Sequence, residues 1–574
     1  MPSGRNERER SSFHRNSHPN AFPRDTLNES LQDPFKESFR DPFKESFQDP
    51  FKESLQDSFN NFLDDYFNHS FRVPVRRPLL SALAALIIAV GVVVFLFPPQ
   101  IPDLEAWRGS RVTLAGTIRA LEPKLEGEDT VWRMTLSDIS LSDASLSDSS
   151  LTDASPADKS TADTVTTDRM PADTSTGDPS LPDPDAAALS PGKKGLVLCV
   201  LDAEPQTDIG ARVEVCGTVI PFRSAMNEGE FDVRLYYHIL RIDYSLRDVE
   251  IMAASKPAGI LAPTLFHVRK TADDIIDRCF SQRNAPTIKA ILLGEKGLLD
   301  EDTKDLYQGA GIIHILSISG LHLSLIGMGL FGLLGKLRLP LPGQNSARRR
   351  SKSFISPSGH PRHPGRSIGI RLGTIPLPGR AAVSLAAVFL YGKMAGMGMS
   401  AFRALVMLSL YITAKAIGRT YDLLTAAGIA AALLLLDQPL YLLHTGFQFS
   451  FCAVLSMGIL APALPGKILK AAAVPLGTLP VYLRAYGTFP LWSLLLNLLV
   501  TPLMTVVMPS AGSAVLAEGL FPSGGAFSPA ALAAFPAEAV LDLYRFLAEL
   551  SEKLPLHRLV IGRPSPAQNA VYYA

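Results

Sequence analysis

Between Pro78 and Pro99 the chain reads PLLSALAALIIAVGVVVFLFPP, a run without a single charge. About twenty such residues form a helix long enough to cross the roughly 30 Å hydrocarbon core of a bilayer. Further charge-poor runs follow at Ile312–Gly335 and at 381–397, 402–418, 422–443, 446–465, 469–487 and 488–510, with weaker segments near 511–521 and 528–549. The expected fold class is therefore a polytopic α-helical membrane protein, with about seven to nine spans. Arg72, Arg76 and Arg77 precede the first run, which no small-residue cleavage site follows. Residues 78–99 thus read as a retained first transmembrane helix with a cytoplasmic N-terminus.

Charge is distributed in blocks, so the balance of 55 basic against 55 acidic residues says nothing about partners. Residues 1–77 form a low-complexity tail with an octad repeat (DTLNESLQ, DPFKESFR, DPFKESFQ, DPFKESLQ). Its Asp-Pro pairs would interrupt a long helix, which leaves short helical turns or a solvated, disordered tail. Residues 136–190 carry an aspartate at every fifth position from Asp138 to Asp183. They read as a disordered acidic insertion, since they lack the turn glycine and closing Glu of a calcium loop. Residues 336–380 hold Lys336, Arg338, Arg348, Arg349, Arg350, Lys352, Arg362, Arg366, Arg371 and Arg380 with no acidic residue. Such a loop stays in the cytoplasm.

With the insertion removed, residues 103–250 contain five short runs rich in β-branched residues: Arg111–Glu122, Thr130–Ile139, Gly195–Asp202, Ala211–Arg223 and His238–Leu246. Five such strands suit an OB-like β domain, extracytoplasmic by topology. The four cysteines are too scattered for a zinc site, and no metal or cofactor is implied. Cys199 and Cys216 lie in two of the strands, where they could form a disulfide or remain two unpaired buried thiols. Residues 251–310 read as an amphipathic helical region, 311–550 as a multi-helix membrane domain, and 551–574 as a short tail.

Gly311–Ile326, GIIHILSISGLHLSLI, is the densest polar cluster within an apolar run. On one continuous helix His314, Ser317, Gly320, Ser324 and Gly327 share an arc of about 140°, while Ser319 and His322 point elsewhere. That stripe would line a wet translocation path or permit close helix packing. Arg403, Gln448 and Asn497 are the sparser pathway candidates; Arg403 could equally snorkel to the interface. Ser319 or Ser317 with a histidine could in principle serve a hydrolase, but no acidic orienter or oxyanion donor accompanies them, so no catalytic residue is assigned.

The run Leu292–Ile326, LLGEKGLLDEDTKDLYQGAGIIHILSISGLHLSLI, resembles the signature of the ComEC family of competence proteins, whose membrane domain opens on a G-x-x-H-x-L-(A/S)-I-S-G-L-H core. Ala401–Leu408, Gly418–Thr420 with Asp422, Gly446–Phe451 and Asn497–Pro502 agree in order, and Asn227–Arg234 resembles the close of the family's external domain. The resemblance covers about residues 78–550. It implies an inner-membrane channel for single-stranded DNA in natural transformation. The resemblance implies the lipid bilayer, single-stranded DNA, a DNA receptor and a cytoplasmic motor as partners, with a separate nuclease and a second copy of the chain as further candidates. Trp107, Trp132, Tyr236 and Tyr237 are then candidate stacking residues for the strand, with core packing as the alternative for each. Longer relatives carry a metallo-β-lactamase-like domain with an H-x-H-x-D-H motif. None of the eleven histidines here forms one, so this form is expected to lack that domain and its nuclease. A small-solute or ion channel on the same scaffold is the competing reading.

Overall fold

A computed structural model describes residues 78–127, 129–141, 194–227, 229–339, 373–522 and 528–573. The N-terminal tail, most of the acidic insertion and most of the basic loop lie outside the described residues.

Helix α1, Pro78–Leu96, leads into a closed five-stranded barrel. Its strands are β1 Arg111–Glu126, β2 Asp129–Leu141, β3 Leu196–Leu201, β4 Arg212–Pro221 and β5 Ile242–Ala254, in the order β1-β2-β3-β5-β4 with β4 closing on β1. Only β3 and β5 run parallel among these pairs. Strict alternation supplies the core: Val112, Leu114 and Ile118 of β1 face inward with Val213, Val215 and Val219 of β4, around Met134, Leu136 and Tyr244. Register shifts in β1 between Ala115 and Thr117 and between Ile118 and Ala120 add the local twist that closure needs. Two sequence boundaries require correction. Residues 136–141 belong to β2, with Leu136 fully buried, so the insertion begins after them. The fifth strand runs Ile242–Ala254 rather than 238–246, because Asp232 caps a short helix α2, Val233–Ile239, by accepting the Leu235 N–H at 2.8 Å.

Helices α3 Leu261–Cys279, α4 Ala285–Leu292 and α5 Glu301–Gly309 follow the barrel. Then come α6 Gly320–Lys336, α7 Leu377–Met394, α8 Met399–Ala416, α9 Leu423–Asp437, α10 Thr445–Leu455, α11 Ala473–Tyr486, α12 Ser493–Leu520 and α13 Pro529–Lys553. Among the described residues four segments are long and apolar enough to cross a membrane: Leu79–Leu96, Met399–Ala416, Thr445–Ala463 and Ser493–Leu520. Gly320–Lys336 and Leu423–Asp437 are shorter apolar helices. The runs expected separately at 488–510 and 511–521 are one helix, α12, which accommodates Pro502 and Pro509 internally. The last 24 residues are not a loose tail. Leu559–Val560 pairs with Thr488–Phe489, and Tyr572 and Tyr573 donate to the carbonyls of Leu476 and Gly477, each at 2.9 Å.

Glycines set how closely these helices cross. A Cβ on Gly327 would lie 2.6 Å from Leu408 and 2.8 Å from Val388, so α6 can meet α7 and α8 there only without one. Gly335 lies against Arg380, which fixes α6 and α7 as antiparallel, and Gly428 lies against Leu83, which packs α9 along α1.

The barrel sits on one end of these helices. Leu125 of β1 donates to the Gly297 carbonyl at 2.9 Å, Lys194 and Arg241 pair with Asp437 at the end of α9 at 2.8 and 3.2 Å, and Gln438 donates to the Ile239 carbonyl at 3.3 Å. The opposite helix ends carry Lys336, Arg380, Lys415 and Arg419, with Asp422 as the cap of α9.

Candidate functional site

The polar segment 311–326 is not one helix, which overturns the stripe expected from a continuous spiral. Ile313–Leu316 is a single 3₁₀ turn, Ser317–Ser319 is extended, and α6 starts afresh at Gly320. The break has a local cause. Ser319 takes the N-cap position, its backbone N–H donates to His322 Nδ1 at 3.1 Å, and its side chain faces the His322 N–H in a reciprocal capping box. His322 is 1% exposed, so this histidine serves the start of α6. With Nδ1 already accepting a backbone proton, the pair does not build a nucleophile and its base. Ser317 closes the preceding turn by donating its hydroxyl to the His314 carbonyl at 2.8 Å.

Gly311 adopts φ +72°, a left-handed conformation that glycine tolerates best, and packs against Ser493 and Pro490 at the start of α12. One turn into α12 stands Asn497, half-buried, whose Oδ1 has no hydrogen-bond partner among the described residues. Leu496 and Val500 beside it share a core with Ile312, Ile315 and Leu316.

Arg403 occupies the first turn of α8 at the barrel-side end. Its Nε donates to Ser450 of α10 at 2.6 Å, its Nη1 reaches Met407 Sδ at 3.5 Å, and the guanidinium lies 5.9 Å from the Phe451 ring centre. A Cβ on Gly320 would sit 3.5 Å from Ala404 and 3.7 Å from Arg403 Nη2. The structure therefore brings together Gly320, Arg403 and Ser450. Ser450 is a polar member that sequence reasoning missed, although it lies two residues beyond Gln448. Gln448 itself is engaged, donating to the Leu442 carbonyl at 3.0 Å at the head of α10. Asn497 lies with the 311–316 segment instead.

The barrel candidates separate. Trp107 is 7% exposed within the barrel core and cannot stack on a ligand. Trp132 is half-buried at the core's margin. Tyr237 stacks on Phe222 at 4.1 Å, and Arg133 Nη1 donates to its hydroxyl at 3.5 Å. Tyr236 lies between the barrel and α10, its ring 5.3 Å from that of His444. The proposed disulfide is not formed: Cys199 is fully buried in the core, whereas Cys216 accepts from Arg111 Nε at 3.3 Å on the outer face of β4, and β5 lies between the two strands. Burial pushes the Cys199 thiol up to about 12, which keeps it inert at neutral pH.

A family model described as competence protein matches residues 291–574. The chain is 24% identical over 325 residues to ComE operon protein 3 of Bacillus subtilis (strain 168); that stretch is 55% of this chain and 37% of the relative. The chain thus matches well under half of the relative's length. No solved structure matches. The domain match over residues 291–574, just under half of the chain, and the shared stretch together support a ComEC-family competence protein.

Proposed function

We propose that this chain is a multi-pass channel of the cytoplasmic membrane that passes one strand of DNA inward during natural transformation. The observation that carries the reading is the polarity of the molecule: a β barrel rests on one end of the helices, and the cationic helix ends with Lys336, Arg380, Lys415 and Arg419 lie at the other; in sequence, residues 336–380 carry ten basic residues and no acidic one. Under the positive-inside rule the basic end is cytoplasmic, as is the tail 1–77, and the barrel is extracytoplasmic. Its closure, with β3 beside β5, is an OB-like arrangement, and OB folds hold single strands through a basic groove with stacking aromatics. Trp132, Tyr236 and Tyr237, with Arg133 and Arg241 nearby, supply that chemistry.

Below the barrel, the Gly320, Arg403 and Ser450 cluster offers the first cationic contact for phosphates entering among the helices, with His314, Ser317, Gln448 and Asn497 as further polar positions. The other participants are a DNA receptor and a cytoplasmic motor. The test is uptake of marker DNA into nuclease-resistant cytoplasmic form, in a host deleted for the chain and complemented with wild type, His322→Ala or Arg403→Gln. Deletion abolishes uptake, and Arg403→Gln lowers it at unchanged protein level. Undiminished uptake on deletion in a demonstrably transformable host contradicts the reading.

A further inference from the structure

A second polar site lies at the same end of the helices, where α11 meets the C-terminal segment. Gly487 ends α11 in a left-handed turn, φ +69°, and sends the chain into Thr488–Phe489, which pairs with Leu559–Val560. The N–H groups of Ile561 and Gly562 donate to the Gly487 carbonyl at 3.2 and 2.9 Å, and the Trp492 indole donates to the Pro555 carbonyl at 3.0 Å. These bonds clamp residues 555–562 across the end of α11. Between them opens a cleft of about 230 Å³, lined by Gln308, Tyr482, Tyr486, Thr488, Pro490 and Arg558. That is smaller than the ~300–1,000 Å³ of sites for drug-sized ligands, and suits one planar group.

The lining has the chemistry of a nucleotide subsite. Tyr482 is held by Phe489 and Phe449, with ring centres at 6.1 and 6.2 Å, and Tyr486, itself 39% exposed, has its ring centre 4.7 Å from that of Tyr482. Tyr486 therefore presents a supported aromatic face, while Gln308 and Thr488 offer donors and acceptors for a base edge or sugar. Arg558 is exposed at the rim. Five residues on, Arg563 is also exposed and lies against Gly229, in the loop that precedes α2 of the barrel, and against Gly487. The clamped segment thus carries two guanidinium groups from the barrel edge to the cleft. Glu552 is the acidic neighbour, close to Gly309 on the same side as Arg558.

We propose that this cleft binds one nucleotide of a single DNA strand leaving the barrel, with Tyr486 stacking on the base and Arg558 and Arg563 holding the adjoining phosphates. The proposal rests on the DNA-channel reading and adds a site to it.

The test is fluorescence anisotropy of a labelled oligo-dT with the full chain in detergent, across a salt series, for wild type, Tyr486→Leu, Arg558→Ala and, in the barrel, Arg133→Ala. Stacking of one base predicts that Tyr486→Leu weakens binding roughly 5- to 150-fold. Loss of one phosphate contact predicts that Arg558→Ala lowers the slope of log affinity against log salt by about 1. If the cleft variants bind like wild type while Arg133→Ala weakens binding, the cleft proposal is overturned and the channel reading stands. Absence of wild-type binding overturns both. Should Arg558→Ala change only a thermal shift produced by anionic lipid, the cleft holds a lipid headgroup and the proposal again fails. Independently of any variant, photo-crosslinking of an iododeoxyuridine oligonucleotide to wild type labels the peptide containing Tyr482 and Tyr486; labelling confined to other peptides contradicts the assignment.

Discussion

The barrel and the helical region use the same apolar side chains in opposite senses. In the barrel, Leu114, Ile118, Met134, Val215 and Leu246 are essentially unexposed, and alternation hides them inside a closed sheet. In the helices, large apolar side chains point outward: Ile88 is 66% exposed, Phe95 84%, Leu436 69% and Leu516 67%. Many buried positions between the helices are instead small, as at Ala404, Ala430, Ala431, Ala511 and Ala514, beside bulky ones such as Val388, Leu408 and Tyr544. A water-soluble part must bury its bulk, whereas a lipid-facing part displays bulk and buries small residues that let backbones approach. The border between these regimes runs where Asp437, Arg241 and Lys194 pair.

The contrast is broken most severely by truncation. Leu114→Ala in the barrel core is expected to cost about 2–5 kcal/mol, while Leu516→Ala on the outward face changes stability by no more than about 0.5 kcal/mol, as read from thermal unfolding in detergent. Equal losses would show that Leu516 is packed against protein. Next in size is overpacking at a helix crossing. Gly327→Val drives side-chain atoms into Leu408 and Val388 and costs about 1–3 kcal/mol, whereas Gly512→Ala, with nothing within 4 Å of the added methyl, is neutral or slightly stabilising. A smaller effect reports on packing within the helical region alone. The Tyr391 hydroxyl donates to the Leu292 carbonyl at 2.7 Å, tying α7 to α4, and Tyr391→Phe should cost about 1 kcal/mol.

The smallest expected effect is a pH dependence confined to the barrel. Glu230 accepts the backbone N–H groups of Met226 and Asn227 at 3.0 and 3.1 Å, which holds its carboxyl below the usual carboxylate range. A depressed folded-state pKa contributes stability above the unfolded value of about 4.3, and that contribution is lost as pH falls through the folded value. Protection of the Met226 and Asn227 amides from hydrogen exchange should therefore fall in wild type as pH drops below the unfolded carboxylate value of about 4.3, and be lower and flat with pH in Glu230→Gln. Identical profiles would mean that this carboxylate does not hold the turn.

Much of the architecture was legible because it follows from period and charge. Alternation marked the strands, hydropathy marked the helices, and arginine density marked one end. What escaped was capping and long-range closure. Asp232 converts the start of the expected fifth strand into a helix, and Ser319 with His322 restarts α6 and dissolves a stripe drawn on an unbroken spiral. Both are one-residue decisions that periodicity averages away. The partners of the site are harder still: Arg403 meets Ser450 across 47 residues and Tyr486 faces Arg558 across 72, separations at which single-sequence patterns carry no contact signal.

With the barrel and the basic helix ends on opposite sides of the membrane, a strand must cross between them. Side-specific labelling tests this with Lys256→Cys, exposed just past the last barrel strand, and Arg419→Cys, exposed in the turn between α8 and α9. The wild-type chain measures the background from its four native cysteines. In intact spheroplasts a membrane-impermeant maleimide should label the cysteine at 256 and not the one at 419, with both labelled after permeabilisation. Labelling of both positions from outside, or of the one at 419 alone, would contradict the account.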